Sequence, residues 1–240
     1  MWFVFGGARL WALLISLHLG VSWVVLAAPK HLQNEKSPRP SEKYLIQMDE
    51  LSALWSLYKF VYLKNGRVIS LDENQITTSE GQGYAMLRAV FQNDRDTFKK
   101  TWLWTQRNLQ TREKDRLFSW KWKSGRVVDK NAATDADTDI ALSLLLAANR
   151  FSEPNYKQEA LQILDDIWKH EVLQVGNFMV VTGGNWAPHE DFPTLHTAYF
   201  APYAYELFAE IDPRHPWKKL IESSYLVLNW IYFKQNLRVP

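Results

Sequence analysis

The chain has 240 residues, 47% of them hydrophobic and 22% charged, which suits one globular domain with a sizeable core. Its formal net charge of +2, with no basic stripe or block of like charges, argues against a nucleic-acid partner. The absence of cysteine excludes disulfides, thiolate catalysis and cysteine zinc sites.

The N-terminus MWFVFGGARLWALLISLHLGVSWVVLAAPK carries Arg9, then runs from Leu10 to Pro29 without Lys, Arg, Asp or Glu. Small residues at Val25 and Ala27 suit cleavage after Ala27, so residues 1–27 read as a secretory signal peptide. The alternative is an uncleaved membrane anchor, because an apolar run of about 20 residues is long enough to span. Either reading places the body outside the cytoplasm, secreted or periplasmic. Residues 28–43 are polar and proline-bearing and read as a linker. The folded body is expected over 44–240.

YLIQMDELSALWSLYKFVYL has apolar residues at helical spacing. KNGRVISLDENQITT reads as a loop with a short extended piece at GRVIS. GQGYAMLRAVFQN and DRDTFKKTWLWTQRNLQ read as helices, the second with Asp94 or Asp96 at its start. FSWKWKSGRVVDKNAATDAD reads as a long loop. TDIALSLLLAANRF is a strongly apolar helix, and PNYKQEALQILDDIWKHEV another, with Pro154 near its start. FMVVTGGNW is β-branched and short, an extended segment. YFAPYAYELFAEI and PWKKLIESSYLVLNWIYF are the last helical patterns. Helices alternate with long loops and no strand series supports a parallel sheet, so the class is all-α.

Two acidic constellations stand out. In TTSEGQGYAM, Glu80 sits between a hydroxyl run and two glycines, at the entry to a helix. Ser79 is placed to cap that helix, and Gly81 and Gly83 leave room for close approach. A carboxylic acid there donates a proton to a leaving group if burial raises its proton affinity. The plainer reading is a capping glutamate, whose charge the helix N-terminus favours. In NAATDADTDIALSLLLAANRF, Asp135, Asp137 and Asp139 alternate at a helix entry. Closely spaced acids resist ionising together. Plainer readings are an N-cap at Thr134 or Asp135, or the start of a calcium loop. Ile140 and Leu146 stand where that loop needs glycine and glutamate.

Tryptophan is abundant, with 12 residues beside 10 Tyr and 12 Phe. Most of these rings are expected in the core, and some suit a cleft for sugar rings, whose faces are apolar and rims hydroxylated. Acids at two helix starts, meeting on one rim of a helical bundle across such a groove, are what glycoside hydrolysis needs. No phosphate loop, zinc-spaced histidines or Gly-x-Ser-x-Gly is present, and no cofactor or metal is implied. His170, His189, His196 and His215 are scattered and read as surface or core residues.

GRVISLDENQITTSEGQGYAMLRAVFQNDRDTF and ATDADTDIALSLLLAANRF resemble glycoside hydrolase family 8, endo-acting β-1,4-glucanases that include the cellulases of bacterial cellulose-synthesis operons. The resemblance runs from about Trp55 to about Leu228. It implies an (α/α)6 barrel with an open cleft, hydrolysis with inversion, and a β-1,4-linked polysaccharide as partner. Association with a cellulose-synthesis complex is a further implication, and the oligomeric state is left open. On this resemblance Glu80 matches the general acid and Asp135 an active-site carboxylate. Asp137 matches the next signature aspartate, one of the two gripping the sugar at the cleavage point. Tyr84, Trp120 and Trp122 match positions near the sugar-binding cleft.

The resemblance has gaps. The family's general base is expected in a segment resembling YDAIRVP. A register on the terminal LRVP puts Gln235 there. Relatives read Asn-Pro-Ser-Tyr where His196 to Tyr199 stand here. Relatives also continue past Pro240, so the expected barrel is incomplete, about eight of twelve helices, with apolar helix faces exposed. The other functional reading is an inactive glucan-binding or scaffold protein lacking the base. Xylan or chitosan are alternative substrates.

Overall fold

The computed structural model describes residues 42–235 apart from 190–192 and 194. The expected signal segment, the linker up to residue 41 and the LRVP ending lie outside the described residues, as does the side chain of Gln235. Among the described residues no helix is long and apolar enough to cross a membrane.

Seven α-helices stand among the described residues, at the seven places where the sequence shows helical spacing. They are α1 (Glu42–Tyr62), α2 (Ser79–Phe91), α3 (Arg95–Leu109), α4 (Thr134–Arg150), α5 (Pro154–His170), α6 (Pro202–Ile211) and α7 (Trp217–Gln235). Helix α4 is central, packed against α2 on one side and α5 on the other. It is buried at nearly every position from Thr134 to Ala147, because its sequence is apolar around most of its circumference. Gly83 brings α2 close to α4: a Cβ there would meet Asp139 Cβ at 3.3 Å and Ile140 Cγ1 at 3.5 Å. The core continues through Phe98, Trp102, Phe118, Ile163, Phe208 and Trp217.

Local chemistry sets the helix starts. Thr78, not Ser79, caps α2, its hydroxyl accepting Gly81 N–H at 3.1 Å. Ser79 is instead buried in the first turn. Asp94 caps α3 by accepting Thr97 N–H at 3.1 Å. Asp94 also receives the Trp55 indole N–H at 3.0 Å and the Lys59 ammonium at 2.6 Å, tying α1 to α3. Burial alone would raise its proton affinity, but these donors outweigh burial and hold it at about 2. Pro154 opens α5 and Pro202 opens α6.

Short strands form at the extended pieces expected at GRVIS and FMVV and also in stretches that read as loop. Leu63–Lys64 (β1) pairs antiparallel with Arg67–Val68 (β2). The long loop expected before α4 is a hairpin of Lys121–Lys123 (β4) and Arg126–Asp129 (β5). Ser124 and Gly125, with φ of 49° and 88°, supply the positive φ values that a tight hairpin turn needs. Thr77–Thr78 (β3) adds a third strand against β4, pairing Thr77 with Trp122 and Thr78 with Lys121. After α5, which stops at His170 instead of running on to Val172, Val172–Val175 (β6) pairs with Phe178–Val181 (β7). Apolar side chains are exposed on α1 (Leu54, Leu57, Phe60) and on α7 (Leu226, Trp230, Phe233).

Candidate active site

The three-stranded sheet positions the start of α2 beside the start of α4. Ser79 N–H donates to the Trp120 carbonyl at 3.0 Å, and Trp120 N–H to the Asn131 carbonyl at 2.8 Å. The segment leading into α4 is held in turn by the loop after β7. The Asn185 side-chain carbonyl accepts Ala132 N–H at 2.7 Å, and Gly184 lies so close that a Cβ there would sit 2.1 Å from the Ala132 carbonyl oxygen. The Thr182 hydroxyl braces the loop, donating within reach of the carbonyls of Glu171 and Gly184 at 3.0 and 3.1 Å.

Glu80 stands in the first turn of α2 and is exposed. The burial on which the sequence reading made a proton-donor role conditional is not present at Glu80 in this structure. Tyr84, one turn later, donates its hydroxyl to Glu80 Oε1 at 2.9 Å. The Asp135 side chain is half-buried, with Oδ1 accepting Ala136 N–H at 2.8 Å. Asp135 therefore does not cap α4; Ala133 occupies the cap position without a side-chain hydrogen bond. Burial, then the nearby Glu80 charge, pushes the Asp135 carboxyl up to about 7. Asp135 thus lies within electrostatic reach of Glu80.

Three residues to which the sequence gave no role in the site join this group. Asp139 is buried and accepts the Tyr203 hydroxyl at 3.4 Å, and burial, then the Asp135 charge, raises it to about 7. The Tyr203 phenol is raised by burial and then by Asp139. Tyr199 is raised to about 12 by burial, then by Asp135 and Glu80. Tyr84 is raised by burial, Glu80, Asp139 and Asp135. Glu80, Tyr84, Asp135, Asp139, Tyr199 and Tyr203 thus form one acidic, tyrosine-lined constellation. The signal for Asp139 was in the sequence: residues four apart share a helix face, whereas residues two apart do not. Asp135 and Asp139 therefore point one way from α4, and Asp137 the other.

Asp137 is a correction of the expectation that it contacts sugar. It is fully buried, and Oδ1 accepts the Phe118 N–H at 2.9 Å behind the site. Trp122 is half-buried and locked on both sides, edge-on to Trp104 at 5.4 Å and under the Arg67 guanidinium at 4.2 Å. That occupied ring is a packing element in this structure. Trp120 is half-buried, with the Lys121 ammonium 4.8 Å above its ring, and its backbone joins the hairpin to the start of α2. Among the described residues no cluster of three or more His, Cys, Asp or Glu has the arrangement of a metal site.

Comparison with known proteins identifies the family. The family model described as glycosyl hydrolases family 8 matches residues 46–237. A probable endoglucanase of Novacetimonas hansenii is 35% identical over 184 residues, covering 73% of this chain and 52% of that protein. An endoglucanase of Escherichia coli K12 is 33% identical over 184 residues, covering 72% and 50%. The chain spans about half the length of the curated relatives it matches. The crystal structure of an endoglucanase from Komagataeibacter sucrofermentans superposes with a TM-score of 0.68 at 30% identity, covering 74% of this chain and 57% of that one. Endoglucanase Cel10 from Klebsiella pneumoniae, described as a family 8 glycosyl hydrolase, gives 0.69 at 32% identity, covering 74% and 58%. The seven helices are accordingly part of an (α/α)6 barrel, and the chain belongs to glycosyl hydrolases family 8.

Proposed function

We propose that this chain carries the acid side of an endo-acting β-1,4-glucan hydrolase that works with inversion. The observation that carries the reading is the placement of Glu80 and Asp135. The first turns of α2 and α4 bring two carboxyl groups within electrostatic reach of each other at one tyrosine-lined edge. The relatives named endoglucanases support β-1,4-glucan as the substrate class.

Glu80 is the general acid. Its proton goes to the glycosidic oxygen as the bond from that oxygen to the anomeric carbon breaks. Tyr84 holds the carboxyl rotamer, so the proton is presented from one direction. Asp135 is the second carboxyl of the site. It can accept from, or donate to, a hydroxyl of the sugar at the cleavage point, since burial and the Glu80 charge raise its proton affinity. In an inverting reaction, water attacks the opposite face of the anomeric carbon, its proton passing to a base carboxylate about 6.5–9.5 Å from the acid. Tyr199, Tyr203 and Trp120 offer the flat, hydroxyl- or N–H-edged surface that sugar rings stack on. We further assign the protein to the secreted or periplasmic space from its N-terminal segment. A partnership with a cellulose-synthesis complex follows from its resemblance to operon cellulases.

The test is reducing-end release from carboxymethylcellulose by wild type and Glu80→Gln. The variant is expected to lose at least about 100-fold in kcat while still binding cello-oligosaccharides. A variant with the wild-type rate overturns the acid assignment. A folded wild type that binds cello-oligosaccharides and releases no reducing ends replaces hydrolysis with glucan binding.

A further inference from the structure

Behind Asp135 lies a buried acid pair that the hydrolysis reading does not use. Asp137 and Glu171 are both fully buried. Asp137 Oδ1 takes the Phe118 N–H, but Asp137 Oδ2 and both Glu171 carboxyl oxygens receive no fixed N–H or O–H. The two carboxyl groups are nevertheless neighbours in the core, each acting directly on the other. Two carboxylates offer only acceptors, so the contact is a hydrogen bond only when one of them carries a proton. Two bare charges in the core would be strongly unfavourable.

The groups around the pair do not neutralise it. The Arg112 guanidinium spends its N–H groups on Asp115, at 2.6 and 2.8 Å, and on the Lys130 carbonyl. Arg112 therefore reaches the pair only through space. The Thr134 hydroxyl, from α4, lies beside Glu171. Asp135 acts on the pair from the same helix, and Tyr205 faces Glu171 from α6. Glu171 itself is fixed. Its N–H donates to the Ile167 carbonyl at 2.8 Å, and its carbonyl accepts Thr182 N–H at 2.9 Å.

We propose that Asp137 and Glu171 share a single proton, and that this bridge holds the first turn of α4, and with it Asp135, against the junction of α5 and β6. Asp137 and Glu171 are thus positioning residues, and their link to catalysis rests on Asp135 being a site carboxyl.

A proton held in the fold and released on unfolding makes stability fall as pH rises. The window opens near the ordinary carboxyl value of about 4 and closes near the buried one. Burial, then the Asp137 charge, raises Glu171 well above its usual range, so the pair keeps its one proton across that window. The experiment measures unfolding of wild type, Glu171→Gln and Glu171→Leu between about pH 5 and pH 8. Glu171→Gln replaces the O–H by an N–H donor. It is expected to fold and to melt with a slope shallower by about one proton, close to tenfold per pH unit in the unfolding constant. Glu171→Leu strands Asp137. It is expected to speed amide exchange in the first turn of α4 and to lower kcat about tenfold or more at similar KM, both restored in Glu171→Gln.

A wild-type pH slope in Glu171→Gln overturns the shared proton. A folded Glu171→Leu with wild-type amide protection and kcat overturns the positioning role. If Glu171→Leu does not fold, Asp137→Asn serves instead: its amide donates to Glu171, and loss of kcat beyond about tenfold there overturns the bridge. A wild type that hydrolyses no glucan defeats the functional reading alone, because the pH slope and amide exchange still decide the bridge.

Discussion

The hydroxyl of Tyr84 donates to Oε1 of Glu80 across 2.9 Å, one helical turn along α2. Residues four apart on a helix face the same way, so this contact is built into the local fold and needs no loop to close. It gives an exposed acid a fixed direction. Tyr84→Phe removes the donor and leaves the ring. The expected outcome is a fall in kcat of about tenfold on carboxymethylcellulose, with thermal stability near wild type, since the lost hydrogen bond is worth about 1 kcal/mol. Steady-state kinetics beside a thermal melt would separate the two effects.

Asp139 offers a test of how burial affects the acids of α4. Its carboxyl is raised to about 7, first by burial and then by Asp135. A raised carboxyl favours the fold while protonated. That stability is fully present below about pH 4 and is lost as pH climbs through about 7. Asp139→Asn cannot ionise, and its carbonyl still accepts from Tyr203. At about pH 5 it should melt close to wild type. At about pH 8 it should melt at least about 2–4 °C higher. Equal melting temperatures at both pH values would show that Asp139 ionises freely in the fold.

Of the contacts that join the loop after β7 to the segment before α4, the one at Gly184 has no slack. A Cβ on Gly184 would lie 2.1 Å from the Ala132 carbonyl, a backbone atom that has nowhere to go. Gly184→Ala is expected to destabilise by at least about 2 kcal/mol and to displace the segment leading into Asp135, lowering activity further. Gly176, with φ of 58° and nothing within 4 Å of its virtual Cβ, is the control. Its alanine variant should cost only about 1 kcal/mol. Denaturant unfolding of the two variants compares backbone collision with backbone strain.

The helices were legible in the sequence because burial of a helix face leaves a periodic apolar trace. The long apolar run after Asp139 marks the central helix for the same reason. The two signature stretches likewise marked Glu80 and Asp135, since each lies in an unbroken local motif at a helix start. The β4–β5 hairpin was missed because its strands are short and charged residues bound each of them, with the turn carried by Ser124 and Gly125. Asp137 was expected in the cleft from its match to the family signature, but the helix turns through about 100° per residue and carries it away from Asp135 and Asp139.

What the sequence by itself determined is the class of the fold, the family and the two helix starts that bear the acids. These depend on spacing within short stretches. What only the tertiary structure decided is which acids face one another. Glu171, Tyr199 and Tyr203 carry no local mark of their partners, because proximity between distant residues is set by packing of α4 against α2 and α5. The same packing removed Asp137 from the cleft and placed it against Glu171. Burial then made the proton shared by these two acids part of the fold.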